Sequence, residues 1–225
     1  MSHETPRKQA LIVFGGWDGH TPRQSAEVFA PLLDEAGYEV HLRDTLDAYL
    51  DRDLLAEQAL IVPMWTMGQI SAEQWRGLDE AVRSGTGLAG FHGGMIDAFR
   101  DNTEYQWMTG AQWVAHPGNC IQRHTVYLED TTHPITAGLD DFELRDTEQY
   151  YCHHDPGNHV LATTVFDQAH GDPSLFTQHT IMPYAWTKTL GRARVFGASW
   201  GHTHRDFEVP EAKEIVRRGM LWASR

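Results

Sequence analysis

Apolar residues along this chain come in short unbroken runs, separated by stretches in which they recur every three or four positions. Residues 10–14, Ala-Leu-Ile-Val-Phe, form the first run. Continuous apolar character without alternation suits a parallel strand covered on both faces. After Gly15-Gly16 and a polar loop, Pro22 is placed for a first helical turn, and Ala26, Phe29, Ala30 and Leu33 keep helical spacing until Gly37. Residues 38–42 read as a second strand, 46–56 as a short helix and 59–62 as a third strand closed by Pro63. Ser71-Ala72-Glu73-Gln74 has the form of a capping box. It opens a helix with Trp75, Leu78, Ala81 and Val82 on its apolar face, and a strand over residues 87–91 follows directly.

Strands that alternate with helices through short connections imply right-handed crossovers, hence a parallel sheet with helices on both faces. The predicted fold is α/β: an open, mostly parallel, flavodoxin-like sheet. Beyond residue 120 the rhythm changes. Runs at 121–128, 145–151, 159–166, 182–187 and 194–200 read as strands with little helix between them, so some must pair antiparallel. Pro210 opens a last helix that packs Ile215, Val216, Met220 and Leu221 on the sheet. Residues 1–225 are expected to form one domain.

Charge narrows the range of partners. The chain carries 31 acidic and 18 basic residues, a formal charge of -13, with no basic stripe, which disfavours nucleic acid and anionic membrane surfaces. No apolar run reaches the roughly 20 residues that cross a bilayer, and residues 1–9 lack a secretory apolar segment; a cytoplasmic location is the expectation. Two cysteines, Cys120 and Cys152, are too few for a disulfide framework. Against this plain background, 14 histidines and 8 tryptophans raise the expectation of a polar-ligand or metal site.

In open α/β sheets, ligands gather beyond the carboxyl ends of the strands, so residues just after each strand carry most weight. Five segments qualify. Gly15-Gly16-Trp17-Asp18-Gly19-His20 combines close backbone approach with an aromatic plate and a titratable ring. Gly90-Phe91-His92-Gly93-Gly94 has the shape of a nucleophile elbow with histidine at its centre. A third segment delivers His116 before Pro117. In the fourth, alternation along a strand puts Glu148 and Tyr150 on one face. The fifth runs through Trp200 into Gly201-His202. The four imidazoles His20, His92, His116 and His202 are expected to meet in one cleft.

At these residues the chain resembles the ThuA-like (trehalose utilisation) family. The resemblance spans most of the chain and continues through the His133-Pro134-Ile135-Thr136 turn, Glu148-Gln149-Tyr150 and Gly191-Arg192. It implies a class I glutamine amidotransferase-like fold, in which an elbow cysteine hydrolyses glutamine with a downstream histidine and glutamate. Here His92 stands in place of that cysteine, and an imidazole cannot form the thioester; Cys120 and Cys152 lie on other segments. Amide transfer is therefore not expected. What the resemblance implies instead is carbohydrate catabolism, with a disaccharide, or a keto sugar made by a partner dehydrogenase, as substrate.

The corresponding mechanism is proton abstraction beside a carbonyl, leading to isomerisation, elimination or hydrolysis. Glu148 or His92 would be the base, with Tyr150 and His202 steadying the oxyanion. Gly16, Trp17, His20, His116 and Trp200 would contact the sugar. A divalent metal, Zn²⁺ or Mn²⁺, held by some of His20, His92, His116 and His202 with Glu148 is the alternative, and a non-catalytic sugar-binding module is another. Trp107 and Trp113 suit either a homo-oligomer contact or a lid.

Overall fold

The computed structural model describes residues 6–166 and 179–225. Its strands are β1 (Lys8–Gly16), β2 (Tyr38–Arg43), β3 (Gln58–Thr66), β4 (Gly87–Phe91), β5 (Ala111–Ala115), β6 (Gln122–Leu128), β7 (Phe142–Thr147), β8 (Tyr151–His154), β9 (His159–Phe166), β10 (Thr180–Leu190) and β11 (Ala193–Ala198). The helices are α1 (Pro22–Glu35), α2 (Arg52–Glu57), α3 (Ala72–Ser84), α4 (Thr103–Thr109) and α5 (Pro210–Ala223). Among the described residues, nine strands form one mixed sheet in the order β2-β1-β3-β4-β11-β10-β9-β6-β7. Pairing is parallel from β2 to β11 and antiparallel from β11 to β7. The antiparallel strands expected of the second half thus extend the parallel sheet itself, and β5 with β8 makes a separate two-stranded ribbon.

The parallel half follows from its sequence. Leu11, Ile12 and Val13 of β1 and Leu60, Ile61 and Val62 of β3 are fully buried, because these strands are covered on both faces. The chain moves from β1 outward to β2, then back across β1 to β3 and β4. With right-handed crossovers, that reversal places α1 on one face and α2 and α3 on the other. It also opens a crevice beyond the carboxyl ends of β1 and β3, where the strand order reverses. The predicted capping box is present in both directions: the Gln74 amide N–H donates to Ser71 Oγ and the Ser71 N–H to Gln74 Oε1.

Two segments differ from expectation. The helix predicted over 46–56 is a 3₁₀ turn at Leu46–Leu50 followed by α2, because Asp51 adopts an extended backbone and caps α2 through Leu54 N–H. The strand predicted over 145–151 is broken. Gln122 pairs with Thr147 and Arg123 with Arg145, so Asp146, at φ 54°, is bulged out of the ladder. Residues 148–150 then leave the sheet, and β8 pairs with β5 instead. Gln149 holds this excursion in place by donating to Thr164 Oγ1 and the Val165 carbonyl.

Candidate active site

All four predicted imidazoles reach the rim formed by the carboxyl ends of the parallel strands. His20 follows β1 in a short 3₁₀ turn, and the Trp17 N–H closes the loop onto the Thr66 carbonyl at the end of β3. His92 follows β4 with φ 44° and ψ -129°, a backbone state that a non-glycine residue adopts only where its surroundings enforce it. A tight π-type turn over Gly93–Asp97 comes next, and the Tyr105 hydroxyl braces it by donating to the Gly94 carbonyl. Gly93 cannot carry a side chain, since a Cβ there would lie 2.4 Å from Thr66 Oγ1 and 2.8 Å from His20 Nδ1. His116 leaves β5, and His202 follows β11 after Gly201.

These rings meet around one carboxylate. Glu148 Oε2 lies 3.2 Å from His92 Nε2 and 3.9 Å from His20 Nε2. Glu148 Oε1 lies 3.8 Å from both His116 Nε2 and His202 Nε2. His92 and Glu148 are only 1% and 4% exposed. Tyr150 stacks on His92 with ring centroids 3.9 Å apart, so the acid and the phenol share a pocket as alternation suggested, although the irregular segment after the bulge brings them there. The adjoining cavity, about 360 Å³, is lined by Trp17, Trp113, Asp97, Arg100, Cys120 and Tyr150 among others, and is of a size for a small ligand. A wider groove of about 690 Å³ between Gly68 and Glu104 holds no histidine.

Burial and mutual repulsion set the charges. Desolvation, then the neighbouring His92 and His202, hold His20 down at about 2, while desolvation and then His92 bring His202 to about 4. Burial pushes the Glu148 carboxyl up, but contact with His92 and the charges of His92, His202 and His116 outweigh it and bring it to about 2. The Tyr150 phenol is pushed well above its usual range, chiefly by burial and then by Asp97 and Glu148, so it stays protonated.

Four residues that the sequence did not single out belong to this neighbourhood. Cys120, although on another segment from the elbow, brings Sγ to 3.7 Å from Glu148 Oε1 and 3.9 Å from His202 Nε2. Burial and the Glu148 charge raise its pKa, so it is a thiol donor to the carboxylate and not an activated thiolate. Asp97, buried at the cavity, pairs with Arg100, whose guanidinium lies 4.1 Å over the Trp113 ring. Asp206 accepts from Thr147 Oγ1 and from the backbone N–H groups of Gly201 and His202, so it ties the residue before Glu148 to the His202 turn.

Two expected substrate contacts lie elsewhere. Trp200 is fully buried, donates to the Ala212 carbonyl and packs edge-on against Phe142, because β11 ends at Ala198 and the chain turns inward there. Gly16 pairs with Thr66 along β1 and β3 and does not line the cavity; with φ 81°, and a Cβ position 2.1 Å from the Thr66 carbonyl oxygen, it serves strand approach. Trp107, half exposed, lies near Lys188 and Arg83, whereas Trp113 forms part of the cavity wall.

Together, the doubly covered sheet, the strained residue after β4 and the site at the rim define a glutamine amidotransferase-like fold with a histidine where the nucleophile would stand. A glutamine amidotransferase from Thermotoga maritima superimposes with a TM-score of 0.54 at 13% identity, covering 96% of each chain. Similarity is greater to a ThuA-like protein from Bacteroides uniformis, with a TM-score of 0.80 at 18% identity over 99% of this chain and 94% of that one. A ThuA-like protein from Parabacteroides merdae gives 0.75 at 19% identity over 97% and 90%. The pattern of the ThuA family, described as trehalose utilisation, matches residues 9–223, and the chain belongs to that family. No curated protein matches it. Among the described residues, no helix is long and apolar enough to cross a membrane.

Proposed function

We propose that the protein converts an oxidised sugar, a keto disaccharide or keto monosaccharide, by proton transfer next to its carbonyl group. Membership of the trehalose utilisation family supports a carbohydrate-related role in general. The observation that carries the finer reading is the buried carboxylate of Glu148, ringed by four imidazoles beside an aromatic-walled cavity. Trp17, about half exposed, offers a face on which a sugar ring stacks.

In the proposed reaction an imidazole on the Oε1 side of Glu148, His202 or His116, takes the proton from the carbon beside the carbonyl. The C–H electron pair forms the enolate, and the Tyr150 phenol donates a hydrogen bond to its oxygen. When the α-hydroxyl proton passes to the enolate oxygen and the abstracted proton returns to the former carbonyl carbon, the carbonyl moves one position and the sugar is isomerised; when a β-substituent departs with its bonding electrons and takes the proton from the base, the carbonyl re-forms and an elimination is complete. Glu148 fixes the base and balances the positive charge it gains. A thiol route is disfavoured by the histidine at the elbow and by the protonated Cys120. Oxidation of a ring hydroxyl must supply the carbonyl, which assigns the preceding step to a sugar dehydrogenase.

The test is hydrogen exchange. Incubating a keto disaccharide with the protein in D₂O should place deuterium at the carbon next to the carbonyl, read by NMR, and Glu148→Gln should reduce the rate about 10³-fold. Binding of the sugar without exchange would instead establish a binding module and end the proposal.

A further inference from the structure

The Oε2 side of Glu148 holds two buried polar atoms, His92 Nε2 and Glu148 Oε2, that lack hydrogen-bond partners among the described residues. His92 Nδ1 lies 2.8 Å from the Ser199 carbonyl oxygen, which can only accept, so the ring proton sits on Nδ1. Its other nitrogen, Nε2, faces Glu148 Oε2 at 3.2 Å. Both atoms are sealed from solvent, and neither has a hydrogen-bond partner among the described residues: the distance is short, but the ring is turned so that an N–H would not point at the oxygen. Leaving two such polar atoms unpaired and buried costs about 1–3 kcal/mol each. His20 adds a third donor atom. Its Nδ1 is engaged with Thr66 Oγ1 at 3.0 Å, which leaves Nε2 directed to the same carboxylate oxygen.

We infer that His20 Nε2, His92 Nε2 and Glu148 Oε2 form a divalent-cation site, with Zn²⁺ as the fitting ion. The three atoms lie within 4.8 Å of one another. Zinc bonds of about 2.1 Å in a tetrahedral arrangement would separate ligand atoms by about 3.4 Å, and the observed 3.2 and 3.9 Å bracket that spacing. The supporting contacts match those of ligand histidines elsewhere, in which the second ring nitrogen is held by a backbone carbonyl or a hydroxyl. Two imidazoles and one carboxylate leave a fourth position open, as catalytic zinc sites do, and His20 and Glu148 both line the 360 Å³ cavity. A cation there would polarise a carbonyl oxygen entering the cavity, while His116 and His202, on the Oε1 side, remain free to move protons. The site concerns the same pocket as the proposed sugar reaction but does not depend on it, because binding is measured without substrate.

The experiment uses the full chain, stripped with a chelator and dialysed, then titrated separately with Zn²⁺, Mn²⁺ and Co²⁺ against a chromophoric competitor. The expected result is one equivalent of Zn²⁺ per chain, tighter than Mn²⁺, and visible absorption of the Co²⁺ form typical of tetrahedral coordination. Glu148→Gln and His20→Asn should weaken Zn²⁺ binding at least 100-fold, whereas His116→Asn should leave it within about threefold. Thermal unfolding of the stripped proteins shows that each variant is folded before titration. Absence of one-equivalent binding by the folded wild type, or equal affinity in wild type and Glu148→Gln, would overturn the site while leaving the deuterium-exchange result standing.

Discussion

On the Oε2 side of Glu148 the neighbours are His20 and His92, both buried, each anchored through Nδ1 to a partner on another strand end. On the Oε1 side stand His202, His116 with about a third of its side chain exposed, and the accessible thiol of Cys120. One carboxylate thus divides a fully buried inner half from an outer half that His116 and Cys120 open to the surface. The inner half rests on the parallel strands β1, β3 and β4, which are packed on both faces; the outer half draws on the β5 edge and the turn after β11. Preorganisation of donor atoms is worth most where nothing moves, as an ion requires, and proton exchange needs rings that meet substrate and solvent. The proposed division of labour between cation and proton transfer rests on that difference in exposure.

The largest expected effect comes from Glu148→Gln, which removes the charge seen by both halves: exchange activity and zinc binding fall together, in the measurements described above. Next, His20→Asn and His116→Asn separate the halves. The inner variant should lose metal and, with it, most turnover. The outer one should keep metal and lose turnover by about 10- to 100-fold, with kcat falling more than KM rises. If both variants lose metal equally, the comparison collapses into one undivided cluster. A smaller effect is expected of Trp17→Ala, which should raise KM for the sugar roughly three- to tenfold without altering metal content. The smallest concerns Trp200→Phe. Steady-state turnover should be unchanged, while loss of the bond to the Ala212 carbonyl costs about 2 kcal/mol, a fall in Tm of roughly 5 °C by calorimetry.

The inner half is legible in the amino-acid sequence because its signals are local. Continuous apolar runs mark β1, β3 and β4, the Ser71 capping box marks α3, and glycines flank His92 at a strand end, where open α/β sheets place ligands. The gathering of His20, His92 and His202 follows from that rule, whereas His116 leaves β5 of the separate ribbon. The outer half is less legible. Asp146 gives little warning that one residue is bulged, yet that bulge ends β7 and releases Glu148 and Tyr150 from the sheet. Trp200 follows a strand as His202 does, and periodicity does not distinguish a chain that turns into the core from one that stays at the rim.

By itself, then, the sequence determined the strand and helix rhythm, the family resemblance and the identity of the four histidines and the acid, because period, capping and motif order are written within a few residues of one another. Only the tertiary structure decided which oxygen of Glu148 each ring faces, that Cys120, Asp97 and Trp113 join them, and that Trp200 and Gly16 do not. Those facts depend on side chains from separate strand ends packing at distances of 3–4 Å, set by sheet register, a bulge and ring orientation. No local pattern in the chain encodes such distances.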